Sequence, residues 1–132
     1  MLQNEHQISE FKSTSGLNRI FAASRYSIQG LQLAWKTEHA FRQELLVSIP
    51  AILVAVLLPI SRLERLVLIM VVALVLIVEL LNSAVEAAVD RISFERHPLS
   101  KNAKDFGSAA VFLTVILAIV TWVVIVLPVF MR

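Results

Sequence analysis

The apolar positions of this chain gather into three long runs, preceded by one shorter periodic stretch. A helix crossing a membrane needs about 20 mostly apolar residues at a rise of about 1.5 Å each. The first run extends from Leu45 to Ile60, between Arg42 and Glu44 on one side and Arg62 on the other. With its flank it predicts a span over about 42–60, interrupted by Pro50 and Pro59. The second run predicts a span over about 66–88, and its far end is studded with polar residues. The third predicts a span over about 108–131, broken only by Thr114, Thr121 and Pro128. Ahead of them, Leu17, Ile20, Phe21, Ser24, Ile28, Leu31 and Trp35 recur at helical spacing, while Arg19, Arg25, Gln29, Gln32 and Lys36 take other faces. That stretch, about 17–36, predicts an amphipathic helix lying in the headgroup region, apolar side down. A helix packed on the bundle is the alternative, and Gly30 is where it can bend. The expected fold is an all-α membrane protein, with three transmembrane helices plus an N-terminal amphipathic surface helix in a single integral membrane domain over 1–132.

Composition narrows this further. The chain is 58% hydrophobic and 17% charged, with a mean hydropathy of +0.77. A soluble domain of 132 residues lacks the core volume to hide that much apolar surface. Cysteine is absent, which excludes disulfides. No unbroken apolar stretch lies in the first 44 residues, which points away from a cleavable signal peptide. The formal net charge of +2 is too small to argue for nucleic acid. Its distribution is more informative. Lys12, Arg19, Arg25, Lys36, Arg42, Arg91, Arg96, Lys101 and Lys104 fall on one side of a three-span topology, and only Arg62, Arg65 and Arg132 on the other. Nine against three predicts that the N-terminus and the loop over 91–107 are cytoplasmic and the C-terminus is outside.

Several residues do not belong in hydrocarbon. At 100° per residue, Asn82 lies 300° on from Glu79, Glu86 about 20° short of it and Asp90 about 20° beyond it, so the four share an arc of roughly 80°. A charged group near the bilayer centre costs on the order of a few kcal/mol. Packing alone requires neither two carboxylates nor an amide there, so this face is a candidate functional site turned to the bundle interior. Glu86 falls near the cytoplasmic surface, and Glu79 about 10 Å deeper. The site therefore opens to water at one end and reaches into the leaflet at the other. The structural alternative is that Glu79 and Glu86 only pair with cations of neighbouring chains to fix an assembly.

Two further polar clusters flank the spans on the same side. One is Glu38-His39-Ala40-Phe41-Arg42-Gln43-Glu44, the other Ser100-Lys101-Asn102-Ala103-Lys104-Asp105-Phe106-Gly107. Ser100, following Pro98, is the expected N-cap of the third span's helix, with Lys104 and Asp105 in its early turns. Taken singly, each is an ordinary solvated flank. Together they bring carboxylates suited to Mg²⁺ and cations suited to phosphate to one membrane surface. His6, His39 and His97 show no metal-ligand spacing, and Trp35, Trp122 and Tyr26 read as interface anchors. With three glycines and no Gly-x-x-x-x-Gly-Lys-Ser/Thr loop, the familiar phosphate cradles are missing.

The runs Ala34–Glu44, Ile77–Glu86 and Ala103–Ala110, with Glu-x-x-Asn-x-x-x-Glu and Lys-Asp-x-Gly-Ser-Ala-Ala at their hearts, closely resemble the prokaryotic diacylglycerol kinase family. These are small three-span enzymes of the bacterial inner membrane. The resemblance covers about Leu17 to Val124. It implies ATP-dependent phosphorylation of diacylglycerol to phosphatidic acid, a requirement for Mg²⁺, and a homotrimer with active sites shared between protomers. It also implies roles for individual residues. Glu79 would be the catalytic base at the lipid hydroxyl, with Asn82 orienting groups at the reacting centre. Glu38 and Glu86 would hold metal bridging the ATP phosphates. Lys104 would contact phosphate, Asp105 would position the nucleotide, and Arg19 would border the lipid entrance. A kinase for a polyprenol such as undecaprenol would need the same phosphate-handling residues. A small cation-coupled transporter would use an intramembrane Glu but would not need Glu38 or the Lys104–Asp105 cluster.

Overall fold

The structure is a computed structural model that describes residues 16–92, 95 and 97–131. Among the described residues the secondary structure is entirely helical: α1 (Gly16–Thr37), α2 (His39–Leu57), α3 (Arg62–Ile92) and α4 (Pro98–Phe130). His6, Lys12, Arg96 and Arg132, which entered the charge and motif reading, lie outside the described residues.

Two compact units divide between Thr37 and Glu38. The first contributes α1, which runs unbroken through Gly30. Its stripe of Leu17, Ile20, Phe21, Ile28 and Leu31 is exposed, as an amphipathic helix requires before it meets an apolar medium. Ser27 and Thr37 turn their hydroxyls back onto the carbonyls of Ala23 and Leu33, which leaves those polar groups satisfied without water.

The second unit holds α2, α3 and α4, each long and apolar enough to cross a membrane. In this unit α3 is the middle element and packs against both α2 and α4. Its buried residues are Leu68, Val72, Val75 and Glu79, spacings that keep all four within an arc of roughly 60° at 100° per residue. The buried residues of α2 are Phe41, Ser48 and Ala55, seven apart. None of α4 is buried, and Phe112, Leu113, Ile119 and Val124 stand exposed along it. A surface so apolar requires hydrocarbon or another apolar surface around it.

The helix ends are set by local chemistry. Pro59, lacking an N–H, follows the end of α2 at Leu57. Arg65 reaches back from α3 and donates from Nε to the Ala55 carbonyl at 3.0 Å and from Nη2 to that of Leu58 at 3.1 Å. These are carbonyls that a helix terminus leaves without intrahelical partners. Ser61 and Glu64 form a reciprocal capping box at the start of α3, at 2.8 and 3.2 Å. The start of α4 corrects one expectation. Its N-cap is His97, whose Nδ1 accepts from the Leu99 N–H at 3.2 Å, and Ser100 lies inside the helix. Pro98 explains the shift, because its fixed φ and missing N–H suit the first helical position.

Candidate functional site

The site grows out of the core stripe of α3. Leu68, Val72 and Val75 occupy its first part, and the next buried position on the same face is Glu79, only 5% exposed. The helix continues unbroken to Ile92, so Asn82, Glu86 and Asp90 follow on adjoining turns. Asn82 Nδ2 donates to Glu86 Oε1 at 3.2 Å, which ties the two side chains together one turn apart. Glu79 lies within electrostatic reach of Glu86 and of Glu38. Glu38 occupies the N-cap position of α2, so the turn into α2 brings a third carboxylate to the two on α3. Like charges gathered at low dielectric repel, and a bound cation or a proton relieves the repulsion.

Basic residues border the end of this cluster nearest the start of α4. Lys104 Nζ, in the turns of α4 ahead of its apolar run, meets Asp90 Oδ1 at 2.6 Å and so ties the end of α3 to the start of α4. The hydrogen bond to Asp90 holds the Lys104 ammonium above the usual lysine range, and the Glu86 carboxylate adds to that effect. Asp105 pairs instead with Lys101, one turn back on its own helix, at 2.5 Å, and both are exposed. Of the residues singled out in the sequence, the second unit therefore collects Glu38, Glu79, Asn82, Glu86 and Lys104. Asp105 stands apart with Lys101. Arg19 belongs to the first unit, where it is exposed on α1.

Two residues carry more than the sequence reading gave them. A cavity of roughly 520 Å³ opens between α2, α3 and α4, lined by apolar side chains and by Gln43, Glu44, Ser48 and Trp122. Glu44 Oε2 and Trp122 Nε1 are buried there without a hydrogen-bond partner. Glu44 is also within electrostatic reach of Glu79, so the polar end of the cavity adjoins the carboxylate cluster. Trp122, expected as an interface anchor, lines the cavity. The spacing held a signal for Glu44, which lies three residues after buried Phe41 and four before buried Ser48, on their face of α2.

Among the described residues no three His, Asp or Glu side chains gather tightly enough to cage a metal ion. Magnesium does not ask for such a cage. It takes one or two carboxylates plus phosphate oxygens, and Glu38 and Glu86 are donors of that type.

Comparison with known proteins identifies the class of chemistry. A family model described as prokaryotic diacylglycerol kinase matches residues 25–126. A diacylglycerol kinase of Pseudomonas aeruginosa is 56% identical over 119 residues, covering 90% of this chain and 97% of that protein. The chain belongs to the prokaryotic diacylglycerol kinase family. A diacylglycerol kinase of Escherichia coli K12 is 49% identical over 113 residues, 86% of this chain and 93% of its own. One from Haemophilus influenzae is 44% identical over 109 residues, 83% and 92% respectively. The match to the diacylglycerol kinase model begins within α1 and ends within α4. It includes Glu38, Glu44, Glu79, Asn82, Glu86, Lys104, Asp105 and Trp122, and leaves Arg19 outside.

Proposed function

We propose that this protein transfers the γ-phosphoryl group of ATP to the free hydroxyl of diacylglycerol at the cytoplasmic face of the bacterial inner membrane, yielding phosphatidic acid and ADP. The observation that carries this reading is the family match across the whole acidic face, within which a buried Glu79 ends an apolar stripe. Phosphoryl transfer asks the protein chiefly for positioning and charge neutralisation. Glu79, the deepest carboxylate of the cluster, accepts the proton of the acceptor hydroxyl as the hydroxyl oxygen bonds to the γ-phosphorus and the bond to ADP breaks. Glu38 and Glu86 would hold Mg²⁺, which would supply neutralisation of the phosphate charge. Asn82 orients Glu86. Lys104 approaches the phosphates from the start of α4, and Asp105 positions the nucleotide.

The apolar cavity beside Glu44 and Trp122 suits the lipid, because it offers mainly hydrocarbon contact with two unsatisfied polar atoms at its wall. Arg19 on α1 contributes to binding of the lipid. The cationic ends of α3 and α4, with Arg91, Lys101 and Lys104, lie on the cytoplasmic side with the N-terminus, opposite Arg62 and Arg65. A homotrimer with shared active sites completes the proposal. The uncovered faces of α4 support it. The test is phosphorylation in mixed micelles with Mg-ATP, offering diacylglycerol and undecaprenol in parallel. Phosphatidic acid is the expected product. Phosphorylation of undecaprenol alone would move the lipid assignment, and product from neither lipid would overturn the kinase reading.

A further inference from the structure

Gly107 on α4 stands against Asn82 on α3. A Cβ added to Gly107 would overlap Asn82 Oδ1 and lie 3.2 Å from its Cγ, whereas Asn82 Cα would be 3.8 Å away, an ordinary contact. No described glycine has a positive φ, so the backbone at position 107 does not require glycine. Space does. At Gly16 and Gly30, by contrast, an added Cβ would meet nothing within 4 Å.

The overlap falls on the tip of one side chain and spares the backbones of both helices. It therefore bears on where the Asn82 amide sits rather than on whether α3 and α4 can pack. Asn82 Oδ1 is buried with no hydrogen-bond partner and faces the Cα–H of Gly107, a weak donor at best. The other end of the amide donates to Glu86 Oε1 at 3.2 Å. Turning the amide over would set Oδ1 against a carboxylate oxygen, so the bond to Glu86 fixes which end faces Gly107.

We propose that Gly107 is a positioning residue for the acidic site: the space it leaves on α4 seats the Asn82 amide, and the seated amide holds the Glu86 carboxylate in place for metal-nucleotide. The inference rests on the kinase reading through the role of Glu86. In Gly107→Ala the amide swings away and Glu86 loses its donor, while the helices stay packed.

The test is binding of Mn²⁺ with a non-hydrolysable ATP analogue to the full chain in detergent micelles, read from the electron paramagnetic resonance signal of free Mn²⁺. Diacylglycerol phosphorylation and thermal unfolding are followed on the same samples. Gly107→Ala is expected to weaken Mn²⁺-nucleotide binding about tenfold or more, as loss of a group that orients a metal ligand does. Its unfolding midpoint should stay near that of the wild type. Asn82→Ala should weaken binding by a similar factor. Adding Gly107→Ala to Asn82→Ala should change nothing further, because the shortened side chain no longer meets the new Cβ. Additive losses in the double variant, or wild-type binding in Gly107→Ala, would overturn the proposal. If Gly107→Ala fails to fold, recovery of folding by adding Asn82→Ala supports the seat, and no recovery overturns it. A wild type that phosphorylates diacylglycerol beside a Gly107→Ala protein that binds equally well sinks this inference alone. A wild type that neither binds nor phosphorylates sinks the kinase reading with it.

Discussion

Leu68, Val72 and Val75 on the first half of α3 and Glu79, Asn82 and Glu86 on the second lie along one helical face, yet the two halves carry different chemistry. In the first half the face is apolar, and Leu68 is fully buried. In the second half the same face carries carboxylates and an amide, of which Glu79 is as buried as its apolar neighbours. A buried carboxylate in a membrane helix is costly, and stability alone would place leucine there. The difference lies in chemistry rather than geometry: the face of the core continues along α3, and side chains that oppose stability occupy it.

The comparison breaks most sharply at Glu79. Glu79→Leu should lower turnover by about 10²–10⁴-fold, the range for losing a general base. It should also raise the unfolding midpoint in micelles, because a buried charge is replaced by an apolar side chain. A lowered midpoint would mean that Glu79 stabilises the fold and the two halves are not so different. Glu86→Gln should come next, raising the KM for Mg-ATP at least about tenfold, as steady-state assays at varied Mg²⁺ would show. On the apolar half, Leu68→Ala should destabilise by about 2 kcal/mol or more through the cavity it leaves. Turnover per folded molecule should stay at the wild-type value, and a loss of turnover in a folded Leu68→Ala sample would contradict the division. The smallest effect is expected from Asp90→Asn. Its pair with Lys104 is partly exposed and screened by water, so the KM for ATP should rise about threefold or less.

Much of this was legible in the sequence. Three apolar runs and a stripe at helical spacing define the helices, because hydrophobic periodicity is local information. The polar face of α3 was equally plain, since Glu79, Asn82, Glu86 and Asp90 share one helix and need only its geometry to align. Helix ends were less so. The box at Ser61-x-x-Glu64 has a sequence signature, whereas His97 displaced Ser100 as the α4 cap through its own Nδ1. What the sequence could not carry is contact between helices. The cavity at Glu44 and Trp122 depends on how α2, α3 and α4 pack together, and the seat of Asn82 on Gly107 depends on the close approach of α3 and α4. The pairing of Asp105 with Lys101 was local but lay in a stretch that also reads as a solvated flank.

The most direct test of the central claim is Glu79→Gln, which removes the charge and keeps the shape. Phosphatidic acid formation in mixed micelles and nucleotide binding should be measured on the same preparation. Turnover is expected to collapse while ATP-analogue binding stays near the wild-type value. Turnover close to wild type from Glu79→Gln would contradict the claim that the buried end of the α3 stripe is the catalytic base.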